Sequence, residues 1–166
     1  EIVVRASLTG HLVFTTLHTN DAPGAVTRLV DMGIPPYLLA AAGRAVLAQR
    51  LVRRLCPACR REAALTGRDA DWLGQPELAG RPAWTASPDG CPECLGGYKG
   101  RTGIHELLAV TPAVSEAIRS AVPSAELRRL AAADGFRDML ADGADKVLAG
   151  VTSVAEVLRS AGARRD

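Results

Sequence analysis

Four cysteines fall in two matched pairs, Cys56-Pro-Ala-Cys59 and Cys91-Pro-Glu-Cys94, and they account for every cysteine of the 166-residue chain. A C-x-x-C turn brings two thiolates to one side of a tight loop, and two such turns complete a tetrahedral sulfur site for Zn²⁺. Other chemistries share parts of the pattern. Two disulfides would need an oxidising compartment, a redox dithiol normally uses a single C-x-x-C at a helix start, and an iron–sulfur cluster also takes four thiolates. Spacing, and the lack of an export signal, favour structural zinc bound by Cys56, Cys59, Cys91 and Cys94. A closed four-sulfur site leaves no open coordination position for catalysis. Its binding energy is expected to fold the segment between the pairs, so that replacing one cysteine unfolds that lobe and spares the C-terminal helices.

A second constellation is Thr9-Gly-His11-Leu-Val-Phe-Thr-Thr16-Leu-His18-Thr-Asn20. The run Leu12–Leu17 is nearly continuous in apolar and β-branched residues, which predicts a strand buried on both faces. Polar groups at the C-terminal end of such a strand sit where open α/β sheets place their ligands. A histidine there can donate a hydrogen bond to phosphate, neutral or charged, near pH 7. Residue types alone favour the plainer alternative, a strand with polar ends and two satisfied histidines.

The elements around these residues follow from local signals. Glu1-Ile-Val-Val-Arg-Ala-Ser-Leu8 reads as the tail of a helix without a capped start, so further sequence is expected upstream. Asp21 is placed to cap a helix with Val26, Leu29 and Val30 on one face, ending at Gly33. A second helix is expected over 36–43, with Pro36 in its first turn, and a strand over 46–55. From Cys56 to about Gly100 hydrophobic periodicity is poor, with Trp72 and Trp84 as the large apolar anchors, so this segment needs a staple. A strand resumes over 101–110. Four helices follow, punctuated by Thr111-Pro112, Ser124, Gly135, Gly150 and the capping box Ser153-Val-Ala-Glu156.

Composition sets outer bounds. The chain is 48% hydrophobic but 4% aromatic, so a core must be built from Ala, Leu and Val. A formal charge of +2 is too small to argue for a polyanionic partner. Between Asp31 and Glu62 the ionisable side chains besides Cys and Tyr are all arginine: Arg44, Arg50, Arg53, Arg54, Arg60 and Arg61. Arg53, Arg54, Arg60 and Arg61 are expected to form a solvated or subunit-facing surface. The most apolar stretch, 34–49, contains Pro35, Pro36 and Arg44 and falls short of a membrane span. No secretory leader is recognisable, which suggests a cytoplasmic protein.

Several blocks, in order along the chain, resemble the ATPase family of type II secretion and type IV pilus assembly. Gly10-His-Leu-Val-Phe-Thr-Thr-Leu-His-Thr-Asn-Asp-Ala22 is similar to the family's histidine box. Gln49-Arg-Leu-Val-Arg-Arg-Leu-Cys56 and the stretch from Cys91 to Leu108 resemble the entry to and exit from its tetracysteine lobe, and Ala149 to Arg159 its C-terminal helix. The spacer from Cys94 to Tyr98 is one residue shorter than the family's usual form, and no G-x-x-x-x-G-K-[ST] occurs.

The resemblance implies an α/β fold: the C-terminal portion of a RecA-like P-loop NTPase sheet, an inserted tetracysteine zinc lobe and a C-terminal helical bundle. The expected divisions are 1–55 for part of the nucleotide-binding core, 56–100 for the zinc lobe, and 101–166 for a returning strand and helical subdomain. It implies a homo-hexameric motor driven by Mg-ATP, with its phosphate loop, aspartate box and Walker B residues upstream of Glu1. The motor would sit at the inner face of the cytoplasmic membrane, peripherally bound through platform and cytoplasmic-domain proteins of the apparatus. His11, Thr16 and His18 are the implied catalytic residues, and Arg50 would reach a nucleotide or a neighbouring subunit. Type II secretion is the expected branch and pilus assembly the alternative. A different class is a zinc-ribbon docking module without catalysis. Nucleic acid is not an expected partner, because aromatics are too sparse for a stacking platform.

Overall fold

The computed structural model describes residues 2–162 and divides the chain into two compact units. The first comprises residues 1–48 and 106–137, the second 49–105 and 138–166. Together they form a mixed α/β chain of eight α-helices and four strands among the described residues.

In the first unit, α1 (Ile2–Leu8), α2 (Ala22–Asp31) and α3 (Pro36–Ala42) meet α5 (Pro112–Arg119) and α6 (Ser124–Ala133). Helix α3 packs on α5 and on α1, while α6 packs on α2 and α5. Val26, Leu39, Leu108, Val114, Ile118 and Leu127 lead a core of small aliphatic side chains. Cap chemistry sets the helix starts: the Asp21 carboxylate accepts from the Gly24 amide, and the Thr111 hydroxyl accepts from the Val114 amide. Ser124 is not a cap but the first helical residue, preceded by Pro123 in extended geometry.

The second unit is built on the long strands β1 (Ala45–Leu55) and β4 (Tyr98–Ala109), which pair with each other and enter the first unit at residues 45–48 and 106–109. Strands β2 (Arg61–Ala64) and β3 (Pro82–Thr85) form an antiparallel pair in the register Arg61↔Thr85 to Ala64↔Pro82. Between them lie α4 (Gly67–Trp72), closed by a Thr66–Asp69 capping box, and a 3₁₀ turn at Pro76–Leu78. The tryptophans are only half-buried. The apolar content of this lobe comes instead from Leu65, Ala70, Leu73, Leu78 and Ala83, all buried. Helices α7 (Met139–Leu148) and α8 (Val154–Ala161) complete the unit and pack on each other where Gly143 lets Val157 approach.

The expected strand over 12–17 is not formed: residues 11–19 carry neither helix nor strand, and Leu12 and Phe14 are 79% and 88% exposed. A strand buried on both faces exists only between hydrogen-bonding neighbours. The described sheets are β1–β4 and β2–β3, and neither offers it one.

Candidate metal centre

The two C-x-x-C turns are brought together by strand pairing. The first follows the end of β1 and the second precedes β4, and the Cys56 amide donates to the Gly97 carbonyl at 2.9 Å. Each knuckle closes on itself: the Cys59 and Arg60 amides donate to the Cys56 carbonyl, and the Cys94 amide donates to that of Cys91. Gly97 is required at the junction. Its φ of +80° is left-handed, and a Cβ there would lie 2.6 Å from the Ser87 carbonyl oxygen.

All four sulfurs lie within 4.8 Å of one another. The Sγ separations are 3.7 Å for Cys56–Cys91, 3.7 Å for Cys59–Cys94 and 3.6 Å for Cys91–Cys94. Four sulfurs at zinc's bond length of about 2.3 Å in a tetrahedron are separated by about 3.8 Å, so the tetrad fits one such ion. The thiols are free rather than disulfide-bonded, and a cage this small suits a single metal atom better than a cluster that spreads its thiolates over several irons.

Without metal the thiols differ. Partial burial, then hydrogen bonds with Cys94, Cys91 and Cys56, push Cys59 up to about 12. At Cys94 burial is again the largest influence, but the Cys91 amide, the Cys91 and Cys59 thiols and the Gly97 amide outweigh it and bring the group down to about 7. At Cys91 the amide of Glu93 favours the thiolate, yet burial and the thiols of Cys94 and Cys56 leave it raised. The apo site therefore resists carrying several thiolates, and a divalent cation is what would remove that penalty.

The other predicted site residues lie elsewhere. His11, Thr16 and His18 are all exposed on the irregular segment of the first unit, where His11 Nδ1 is 3.1 Å from the Thr9 hydroxyl. Arg50 lies on β1 in the second unit, half-buried. Two of the arginines expected at the solvated surface also make structural contacts, Arg53 while staying exposed and Arg60 while half-buried. Arg53 Nη2 donates to Glu156 at 2.6 Å and its guanidinium lies 4.1 Å from the centre of the Tyr98 ring. Arg60 donates to the Gly150 carbonyl at 2.6 Å and lies 4.3 Å over Trp84.

Glu156 was legible only as the far end of a capping box. The Ser153 hydroxyl does accept the Glu156 amide. The Glu156 carboxylate, 2% exposed, is turned instead to the amide and guanidinium of Arg53 and to Arg159. No spacing rule reports the contact with Arg53, because the two residues are 103 positions apart.

A family model described as type II/IV secretion system protein matches residues 1–159. The type II secretion system protein E of Aeromonas hydrophila is 51% identical over 160 residues, covering 96% of this chain and 31% of that protein. The type II secretion system ATPase E of Vibrio cholerae is 46% identical over 162 residues, 96% of this chain and 31% of the relative. The type IV pilus assembly ATPase TfpB of Acinetobacter baylyi is 42% identical over 159 residues, 95% and 27% respectively. The chain thus spans about three-tenths of the length of the curated relatives it matches.

Proposed function

This chain belongs to the type II/IV secretion system protein family, and from that premise we propose that it is the zinc-bearing part of an ATP-hydrolysing motor that powers type II secretion. The observation that supports this reading is near-complete coverage of the chain, at 46–51% identity, by relatives named as protein E or ATPase E of type II secretion. Pilus assembly is the second reading, favoured by the 42% identity to a pilus assembly ATPase.

In this reading residues 1–55 complete a RecA-like nucleotide-binding core in a homo-hexamer, and the segment 12–17 gains its strand partners from residues outside this chain. The two exposed apolar side chains Leu12 and Phe14 suit such a completion. No phosphate loop occurs in the sequence, so the backbone cradle, lysine and magnesium that hold a triphosphate come from elsewhere in the protein. His11 and His18, with Thr16 between them, donate hydrogen bonds to phosphate oxygens, and Arg50 reaches the nucleotide or an adjacent subunit. Phosphoryl transfer is dominated by positioning and charge stabilisation, so donors of this kind act on the chemical step. Zinc on Cys56, Cys59, Cys91 and Cys94 supplies cross-linking rather than chemistry. The motor works at the cytoplasmic face of the inner membrane, held by platform and cytoplasmic-domain proteins. Among the described residues no helix is long and apolar enough to cross a membrane.

Steady-state hydrolysis of Mg-ATP by the intact protein that carries this chain tests the reading. His18→Ala is expected to lower kcat by roughly ten- to a thousand-fold, the range for losing one transition-state donor. KM should change little because the triphosphate cradle is untouched. An intact protein without hydrolysis ends the motor reading, and unchanged kcat in both His11→Ala and His18→Ala makes the histidines structural.

A further inference from the structure

Glu106, near the end of β4, is a carboxylate with 2% of its side chain exposed. Its Oε1 accepts the amide of Ala22 at 2.6 Å, the first residue of α2, which has no exposure of its own. An amide buried at a helix N-terminus needs an acceptor, and a neutral one would serve. A carboxylate in that place is costly unless a cation answers it. Arg128, on α6, supplies the cation: Nη1 lies 3.9 Å from Glu106 Oε2, and Nη2 donates to Asp21 Oδ2 at 2.9 Å. Asp21 uses its other oxygen to cap α2 through the Gly24 amide at 2.7 Å. One guanidinium therefore spans two carboxylates, and those carboxylates hold amides of the first turn of α2, Glu106 that of Ala22 and Asp21 that of Gly24.

His18 lies three residues before Asp21, at the end of a segment with no helix or strand of its own. Toward its other end the segment is held to α1, where the His11 amide and the Thr9 hydroxyl donate to the Ala6 carbonyl. We propose that Glu106, Arg128 and Asp21 form a charged latch that positions the His18 segment and couples its displacement to α6. Glu106 and Arg128 are then positioning residues, acting through His18 rather than on the nucleotide. The proposal rests on the reading that His18 meets a phosphate, and it adds two residues outside the histidine box.

Glu106→Gln is the discriminating variant, because it keeps an acceptor for Ala22 and removes the charge that Arg128 answers. In the intact protein, Glu106→Gln and Arg128→Ala should lower kcat for Mg-ATP on the order of tenfold, the scale of a sub-ångström misplacement of a catalytic group. KM should hold within about twofold, and Arg128→Lys should recover part of the loss. Amide hydrogen exchange over residues 11–21 should accelerate in both variants while α3 and α5 keep wild-type rates. Unchanged kcat in the latch variants beside a low kcat in His18→Ala overturns the latch and leaves the motor reading standing. If His18→Ala itself is active, the motor role of the histidine fails and exchange over 11–21 decides the latch alone: acceleration confined to that segment supports it, wild-type rates overturn it. Acceleration spread equally over every helix of the first unit marks general destabilisation and also overturns it. Should Arg128→Ala fail to fold, Glu106→Gln carries the same outcomes.

Discussion

Two kinds of residue in the second unit tie its stability to pH. The Glu156 carboxylate is buried, which by itself raises its pKa. The Arg53 guanidinium, then Arg159 and the Arg53 amide, more than offset this and hold it down at about 2. A carboxylate depressed on folding stabilises the native state at pH values above its unfolded pKa. That contribution is lost as pH falls from about 4.5 through about 2. Asp142 acts in the same direction, since Lys146 and the His105 amide outweigh its burial. Urea titrations at stepped pH should therefore show the second unit weakening across this window. Glu156→Gln should flatten that loss and cost about 2 kcal/mol at pH 7, as for hydrogen bonds to a charged group. A variant with the wild-type acid profile would show that Glu156 is not the group responsible. Acid acts on the cysteines in the same direction, at higher pH: with Cys59 near 12 and Cys94 near 7 in the metal-free state, a four-thiolate metal site has to expel protons. One zinc per chain is expected by metal analysis, with release to a colorimetric chelator growing as pH drops below neutrality. Protein without zinc, or release independent of pH, would remove the assignment.

Elements that depend on short-range chemistry were legible in the sequence, and those that depend on distant partners were not. The caps at Asp21, Thr111 and Ser153 are visible because the acceptor and the amide it serves are three residues apart. The two C-x-x-C turns are visible for the same reason. The segment 12–17 has a strand's composition but no neighbour among the described strands, and composition cannot report a neighbour. The lobe between the cysteine pairs looked coreless because its elements, four to six residues long in β2, β3 and α4, are too short to show a period. Its tie to the α7–α8 turn was equally hidden. Gly150 has φ +67°, and an added Cβ would lie 2.5 Å from Trp84 Cδ1 and 2.6 Å from Arg60 Nη1. Next to it, the Leu55 amide donates to the Val151 carbonyl at 2.9 Å and the Thr152 hydroxyl to that of Arg53 at 2.8 Å. Gly150→Ala is accordingly expected to destabilise the second unit by about 1–3 kcal/mol, from overpacking added to backbone strain. In a Trp84→Leu background part of that penalty should disappear, because the nearest clash is gone. Denaturant titration of the four species checks this, and an equal penalty in both backgrounds would leave backbone strain as the whole cause.

At the level of the whole chain, the two units hold their cores by different means. The first buries a continuous aliphatic cluster from Ala22 to Ala40 and from Leu108 to Ala131, which needs no ligand. The second closes its lobe around four thiols, and for such sites the free energy of metal binding is free energy of folding. It also contains α7 and α8, so withdrawal of metal is expected to reach past Cys94 into the C-terminal helices through Arg60 and Gly150, rather than stopping at the lobe. The distribution of chromophores makes this measurable without dissecting the chain. Both tryptophans of the sequence, Trp72 and Trp84, lie in the second unit, while five helices of the first unit contribute to far-ultraviolet circular dichroism without any tryptophan. Adding a chelator before denaturation should move the tryptophan fluorescence transition to lower denaturant, since a ligand that binds the native state stabilises it in proportion to its occupancy. A later dichroism transition, carried by the first unit, should keep its midpoint. If fluorescence and dichroism shift together by the same amount, the chain unfolds as one cooperative body and the metal supports all of it. If neither shifts, the four thiols do not hold a metal that matters to stability.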